Sequence, residues 1–262
     1  MSDDVLLIER DGPVAVLTLN RPRARNALDP ALVEALGVGL EAAAEDASVR
    51  AVVLTGSGGS FCAGADLKAA MSSGMGAFER LDTAIDGYHR MIRAIVGAPK
   101  PFLAAVDGAA VGFGCDLALA CDLRVLSAEA YLQEKFVKIG LMPDGGGTFW
   151  LPRLVGLGRA MEFLLLGEPI AAEQALSVGL ANRIVPAERL REEALALAHR
   201  LAQGPPLAFA EIKRSVRASL GGTVDTALAL EKKGQVRCLS SNDCIEGVSA
   251  WMQKREPAFQ GK

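Results

Sequence analysis

The chain has 262 residues, with 28 Lys+Arg against 31 Asp+Glu for a net charge of −3, and half of its residues are apolar. This composition can fill a large core, which excludes a disordered chain and a small disulfide-stapled scaffold. The acidic balance argues against a nucleic-acid binder, whose phosphate contacts need a basic surface.

In chain order, Val5 to Arg10 and Val14 to Leu19 flank Asp11-Gly12-Pro13 and predict two strands joined at a turn. Asp29-Pro30 supplies an N-cap followed by proline at the first helical position, and Leu32, Leu36 and Leu40 recur at helical spacing up to about Asp46. Strands follow at Ala51 to Thr55 and Phe102 to Val106, with a helix from about Phe78 to Val96 between them and a further strand at Leu123 to Ser127. Beyond Val185 the periodicity is helical only, over Ala187 to Gln203, Pro206 to Ser219, Thr223 to Ser240 and Asp243 to Lys254. The expected organisation is an α/β body over residues 1–200 and a helical C-terminal region over 201–262, a layer suited to packing against a neighbouring subunit.

Cys62, Cys115, Cys121, Cys238 and Cys244 are odd in number and form no C-x-x-C pair, so no zinc site or redox dithiol is suggested and a reducing cytoplasm is the expected compartment. Met1-Ser2-Asp3-Asp4 carries acid where a leader would carry base, and no apolar run is long enough to span a bilayer. The expectation is a soluble, unprocessed chain with no membrane or nucleic-acid partner.

Four segments stand where loops most often hold functional groups: GSGGSFCAGADLK over 56–68, DGAAVGFGCDL over 107–117, GLMPDGGGT over 140–148, and NRPRARNAL over 20–28, read as helical. Glycines there let backbone N–H groups approach a ligand and set a helix N-terminus against a developing anion. Neither a P-loop nor a G-x-G-x-x-G fingerprint fits the spacing.

Phe61-Cys62-Ala63-Gly64-Ala65-Asp66-Leu67, Gly112-Phe113-Gly114-Cys115-Asp116-Leu117 and Gly140 to Thr148 together resemble, in order and spacing, the motifs of the crotonase or enoyl-CoA hydratase/isomerase superfamily. The resemblance runs from Thr18-Leu19-Asn20-Arg21-Pro22 to Lys254-Arg255-Glu256-Pro257-Ala258-Phe259. It implies a spiral of ββα units with a helical trimerisation region, assembled as a homotrimer or a dimer of trimers. It also implies an acyl-coenzyme A thioester as substrate, with no metal and no separate cofactor, since coenzyme A belongs to the substrate. By the same resemblance the backbone N–H groups of Ala65 and Phe113 form an oxyanion hole for the thioester enolate. Ala63, Ala65, Asp66, Leu67, Lys68 and Phe136 then line the substrate, Arg23, Arg25 and Lys68 face the coenzyme phosphates, and Lys254 and Phe259 reach the adenine end.

Hydration in this family uses two glutamates, and at the matching positions this chain has Asp116 and Phe136. A phenyl ring neither activates water nor carries a proton, so the two-carboxylate arrangement is broken unless the backbone turns Glu134, two residues away, inward. Asp144 stands where the hydratases have glycine, and LMPDGGGT resembles the family's isomerases, including the epoxyphenylacetyl-CoA and dienoyl-CoA isomerases. The expectation is an enoyl-CoA isomerase of double-bond or ring-epoxide type, with Asp144 as proton shuttle and Asp116 accessory. The alternatives are a 2-enoyl-CoA hydratase and a catalytically silent acyl-CoA binder.

Each residue also has a plainer reading. Asp144 suits an N-cap for the helix that follows, Asp116 an acid in a first helical turn, and Asp66 a brace for its own loop. Arg23, Arg25 and Lys68 suit a solvated surface, and the basic end a polar terminus. Cys62 and Cys115 are small apolar fillers. His89 and His199 fall in helical stretches away from the motifs, and read as structural or surface residues.

Overall fold

A computed structural model describes residues 4–72 and 81–262; the acidic start at Met1 to Asp3 and the first residues of the helix expected from Phe78 lie outside the described residues. A six-stranded sheet is ordered β1-β2-β3-β4-β6-β9, from β1 (Leu6–Asp11), β2 (Val14–Leu19), β3 (Ala51–Gly56), β4 (Phe102–Val106), β6 (Leu123–Ser127) and β9 (Arg183–Val185). The β1–β2 hairpin is antiparallel and every other neighbour is parallel. A second sheet, β5-β7-β8, joins Ala109–Val111, Tyr131–Gln133 and Ile170–Ala171.

Side chains alternate across a strand, and the parallel strands bury both faces. Leu17 and Leu19, Val52 and Leu54, and Phe102, Ala104 and Val106 enter the main core, whereas Val14 and Val16, Ala51 and Val53, and Leu103 and Ala105 enter a second one. Helix α1 (Pro30–Glu45) presents Leu32, Leu36 and Leu40 to the main core, an apolar stripe at helical spacing. Its start is as expected: Asp29 accepts the Leu32 N–H at 2.9 Å and Pro30 follows at the first helical position.

Helix α2 (Leu67–Ser72) precedes α3 (Leu81–Gly97), which packs on α1; α4 (Phe113–Ala120) and α5 (Gly147–Val155) bound the site, and α6 (Leu157–Leu166) and α7 (Ala172–Ser177) follow. Helix α8 (Leu190–Ala202) closes the second core through Leu190, Ala194, Leu197 and Ala198. Beyond it lie α9 (Pro206–Ser219), α10 (Val224–Leu239) and α11 (Asn242–Gln253). Lys213 and Arg217 of α9 both pair with Asp122, tying this layer to the body. The layer leaves Val224, Leu228, Ile245, Trp251 and Met252 largely exposed, with Trp251 at 81%. Among the described residues no helix is long and apolar enough to cross a membrane.

Two sequence expectations change. The 20–28 segment is not a helix: only Pro22–Ala24 forms a 3-10 turn, because Arg25 and Asn26 take left-handed backbone angles. The short strands β5, β7, β8 and β9 carry two or three residues each, too few for a periodicity signal.

Candidate active site

The first wall is the loop after β3. Asn26 is fully buried, and its Nδ2 donates to Ser57 O at 2.9 Å and Ser60 O at 2.6 Å while its Oδ1 accepts the Arg21 N–H. Leu28 N–H donates to Gly64 O and Asp66 N–H to Leu28 O, so the 64–66 segment pairs with Leu28 as a parallel bridge. In such a bridge the middle residue turns its own N–H to the other side, which aims the Ala65 amide away from Leu28.

The second wall is β5 and the start of α4. Cys62 N–H donates to Ala109 O and Val111 N–H to Cys62 O, pinning the two loops side by side. Gly112 is the N-cap residue of α4 with φ +56, and Phe113 follows as the first helical residue, whose N–H has no partner within the helix. Close approach requires glycine on both sides. A Cβ on Gly64 would sit 2.7 Å from Val111 O and 3.5 Å from Phe113 N, and one on Gly114 would sit 2.3 Å from Cys62 O. The structure thus brings the Ala65 and Phe113 segments together, on neighbouring loops in the order the sequence suggested.

Three acids gather beside this junction. Asp116, in the first turn of α4, is 0% exposed, and its Oδ2 accepts the Gly145 N–H at 2.9 Å. Glu134 follows β7 and is 1% exposed, so the backbone does turn it inward. Among the described residues, Asp116 Oδ1, both Glu134 carboxyl oxygens and Asp144 Oδ1 are buried without a hydrogen-bond partner. Burial raises all three acids. Asp116 is held well above the usual carboxylate range by desolvation and then by the charge of Glu134, against the pull of the Gly145 amide. Glu134 is pushed up to about 8 by desolvation, with Asp144 adding to the rise and the Cys115 thiol opposing it. Asp144 is less buried and rises by desolvation, while its own amide and the charge of His89 work against the rise.

Several residues stand differently from their sequence reading. Asp144 is not the N-cap of α5: Gly146 holds that place, with no side-chain cap, which leaves the carboxyl to the site. His89 is not remote from the motifs, since α3 brings it within electrostatic reach of Asp144. On the same helix Tyr88 stacks on Phe113 with ring centroids 4.5 Å apart, and burial, with Asp144 next, pushes its hydroxyl up to about 12. Helical periodicity alone cannot reveal that neighbouring positions 88 and 89 turn toward a loop more than fifty residues on.

Phe136 is buried with its ring edge 3.7 Å from the side-chain position of Gly112, so an apolar ring borders the loop before α4. Asp66 accepts the Ala69 N–H and pairs with Arg21, bracing its loop in accord with the plainer reading. Arg23, Arg25, Leu67 and Lys68 are exposed, and Ala63 is half-buried. Lys254 ends α11 in a left-handed conformation. Phe259 is tied to its own chain, packing at Gly247 and accepting Arg50 Nη1 at its carbonyl.

Comparison with known proteins agrees with this geometry. The profile of the enoyl-CoA hydratase/isomerase family matches residues 9–262. The chain is 42% identical, over 100% of both chains, to a probable enoyl-CoA hydratase of Rhodobacter capsulatus. It is 38% identical to a 1,2-epoxyphenylacetyl-CoA isomerase of Escherichia coli, over 95% of each chain. A crystal structure of an enoyl-CoA hydratase from Bacillus anthracis superimposes with a TM-score of 0.94 at 33% identity, covering 98% of this chain and 100% of that one. Motifs, fold and the two facing glycine loops converge, and the chain belongs to the enoyl-CoA hydratase/isomerase family, as an acyl-CoA enzyme of the crotonase superfamily.

Proposed function

We propose that this protein is an enoyl-CoA isomerase in which Asp144 carries the proton. The observation that carries the reading is the state of the three acids. Of the three, only Asp144 is partly open to solvent, and the charge of His89 acts on it. Asp116 and Glu134 are sealed in the interior, and Phe136 occupies the position of the second hydratase glutamate.

In this reading the thioester carbonyl accepts hydrogen bonds from the Ala65 and Phe113 amides. Asp144 takes a proton from C2 of a 3-enoyl thioester, the electron pair moves into a dienolate whose oxygen those amides stabilise, and the proton returns at C4. The double bond shifts into conjugation with no water consumed. A carboxyl raised above its ordinary value is a stronger base for this removal and, once protonated, is still acidic enough to return the proton. Acyl-CoA contacts at Arg23, Arg25, Ala63, Leu67, Lys68, Lys254 and Phe259 belong to the proposal, as does a homotrimer built on the exposed apolar residues of α10 and α11, alone or as a dimer of trimers.

One observation favours hydration instead: Asp116 and Glu134 are two inward carboxyls in a chain with relatives named as hydratases. Separate incubation with a 3-enoyl-CoA and a 2-enoyl-CoA, following the absorbance of the conjugated thioester, decides between them. The isomerase reading expects a rise with the first and no fall with the second; a fall with the second supports hydration, and tight acyl-CoA binding with no turnover supports a silent binder.

A further inference from the structure

Glu134 is the most deeply buried ionisable group at the site for which neither the motifs nor the proton transfer above supplies a role. The Cys115 thiol reaches its carboxyl and the Gly145 and Gly147 amides reach Asp116, but no cationic partner among the described residues meets either acid, and the two lie together beneath α5. The side-chain position of Gly147 lies 2.8 Å from Asp116 Oδ1 and 2.9 Å from Glu134 Oε1, so the two oxygens are no farther apart than those distances allow together. Any side chain at Gly147 would press on both.

No cation offsets the pair among the described residues. Around it stand Cys115 on α4 and Asp144 in the loop before α5, each neutral or negative. Arg124, behind Cys115, gives its guanidinium to the carbonyls of Leu119, Cys121 and Leu180. Tyr88 and His89 of α3 face Asp144 instead. Two adjacent buried carboxylates with no cation beside them resist both being ionised, because each desolvated charge raises the cost of the other.

We infer that Asp116 and Glu134 share a proton at neutral pH, and that Glu134 is the positioning residue that keeps Asp116 an acid rather than a base. A neutral Asp116 cannot draw a proton from water, which leaves Asp144 as the working base. The inference deepens the isomerase reading and rests on it for this consequence, whereas the shared proton itself is independent of which substrate is turned over.

The test is infrared difference titration of the substrate-free enzyme, reading the C=O stretch of protonated carboxyl groups from about pH 5.5 to about pH 9.5, a range of about four units that spans neutrality. A buried protonated carboxyl is expected at neutral pH that ionises near pH 8, the value to which burial brings Glu134. In Glu134→Gln the remaining Asp116 signal is expected to titrate at least about one pH unit lower, and in Glu134→Asp the shared proton is retained. A spectrum with no protonated buried carboxyl at neutral pH, or one identical in wild type and Glu134→Gln, overturns the inference. With a turned-over substrate, the alkaline limb of kcat is expected to move down by about one pH unit in Glu134→Gln at unchanged KM, and an unmoved limb counts against it. Failure of the isomerase reading shows only in the substrate assay and leaves the infrared result to decide the shared proton.

Discussion

Alanine at Gly64 tests the proposed oxyanion role of the Ala65–Phe113 junction by a perturbation whose size follows from the structure. Gly64 has φ +83, where an L side chain is strained by roughly 1–2 kcal/mol. Its Cβ would lie 2.7 Å from Val111 O, a backbone atom that cannot swing aside; forcing such a contact apart adds roughly 1–3 kcal/mol. The expected destabilisation is therefore about 3 kcal/mol. Gly12→Ala separates the two effects, because Gly12 has φ +56 and nothing within 4 Å of its side-chain position, so it should lose only the backbone part, about 1 kcal/mol. The added methyl at Gly64 pushes between the loops that carry the Ala65 and Phe113 amides. In the proposed mechanism, relief of the clash moves one donor off the thioester oxygen, and loss of one donor is expected to lower kcat by roughly 10²–10³. Urea midpoints of both variants and kcat on a 3-enoyl-CoA supply the readout. Wild-type kcat in folded Gly64→Ala, or equal destabilisation of the two variants, would refute the reasoning.

The buried acids make stability depend on pH with a definite sign. A carboxyl raised from 4.5 to about 8 on folding binds its proton more tightly in the folded state, so its contribution to stability is fully present below about pH 4.5 and is lost as pH rises toward 8, by about 1.4 kcal/mol per unit for each proton retained. Urea midpoints at pH 5.5 and pH 8 (roughly two and a half units apart) should show this decline in wild type and a flatter dependence in Asp116→Asn, and equal slopes would count against a shared proton. Tyr88→Phe keeps the stack on Phe113, so kcat should stay within about threefold while Tyr88→Ala, which removes the ring, loses about 3 kcal/mol in a denaturation curve. If the proposed trimer is built on α10 and α11, Trp251→Glu, at an 81% exposed position, should lower the mass in light scattering toward that of a monomer without changing the circular dichroism; a trimer of unchanged mass would count against that face.

Sequence patterning revealed the parallel sheet because β2, β3 and β4 bury both faces and read as continuous apolar runs. It revealed α1 because a capped proline start precedes a leucine repeat. The two facing loops were legible as glycine-bearing segments, and their proposed oxyanion role only through the resemblance: a Cβ at 64 or 114 would meet backbone oxygen of the facing loop, while Gly112 answers to a φ of +56. What escaped depends on long-range placement. Glu134 sits at the end of the three-residue β7, and its inward turn depends on the 3-10 segment Lys135–Ile139 rather than on an alternation that sequence could show. His89 and Tyr88 meet Asp144 only because α3 packs across α4. Asp144 looked equally suited to capping α5, and the choice between cap and site was made by Gly146, whose φ of +102 starts that helix two residues later.

The most direct test of the isomerase account compares wild type with Asp144→Asn on a 3-enoyl-CoA, following the appearance of the conjugated thioester. The account predicts a steady rise with wild type and a rate lower by roughly 10²–10⁴ in the variant, the usual contribution of a positioned proton carrier, with the urea midpoint changed by less than about 1 kcal/mol in free energy. Turnover in Asp144→Asn close to wild type, or no double-bond shift by the wild-type enzyme, would contradict it.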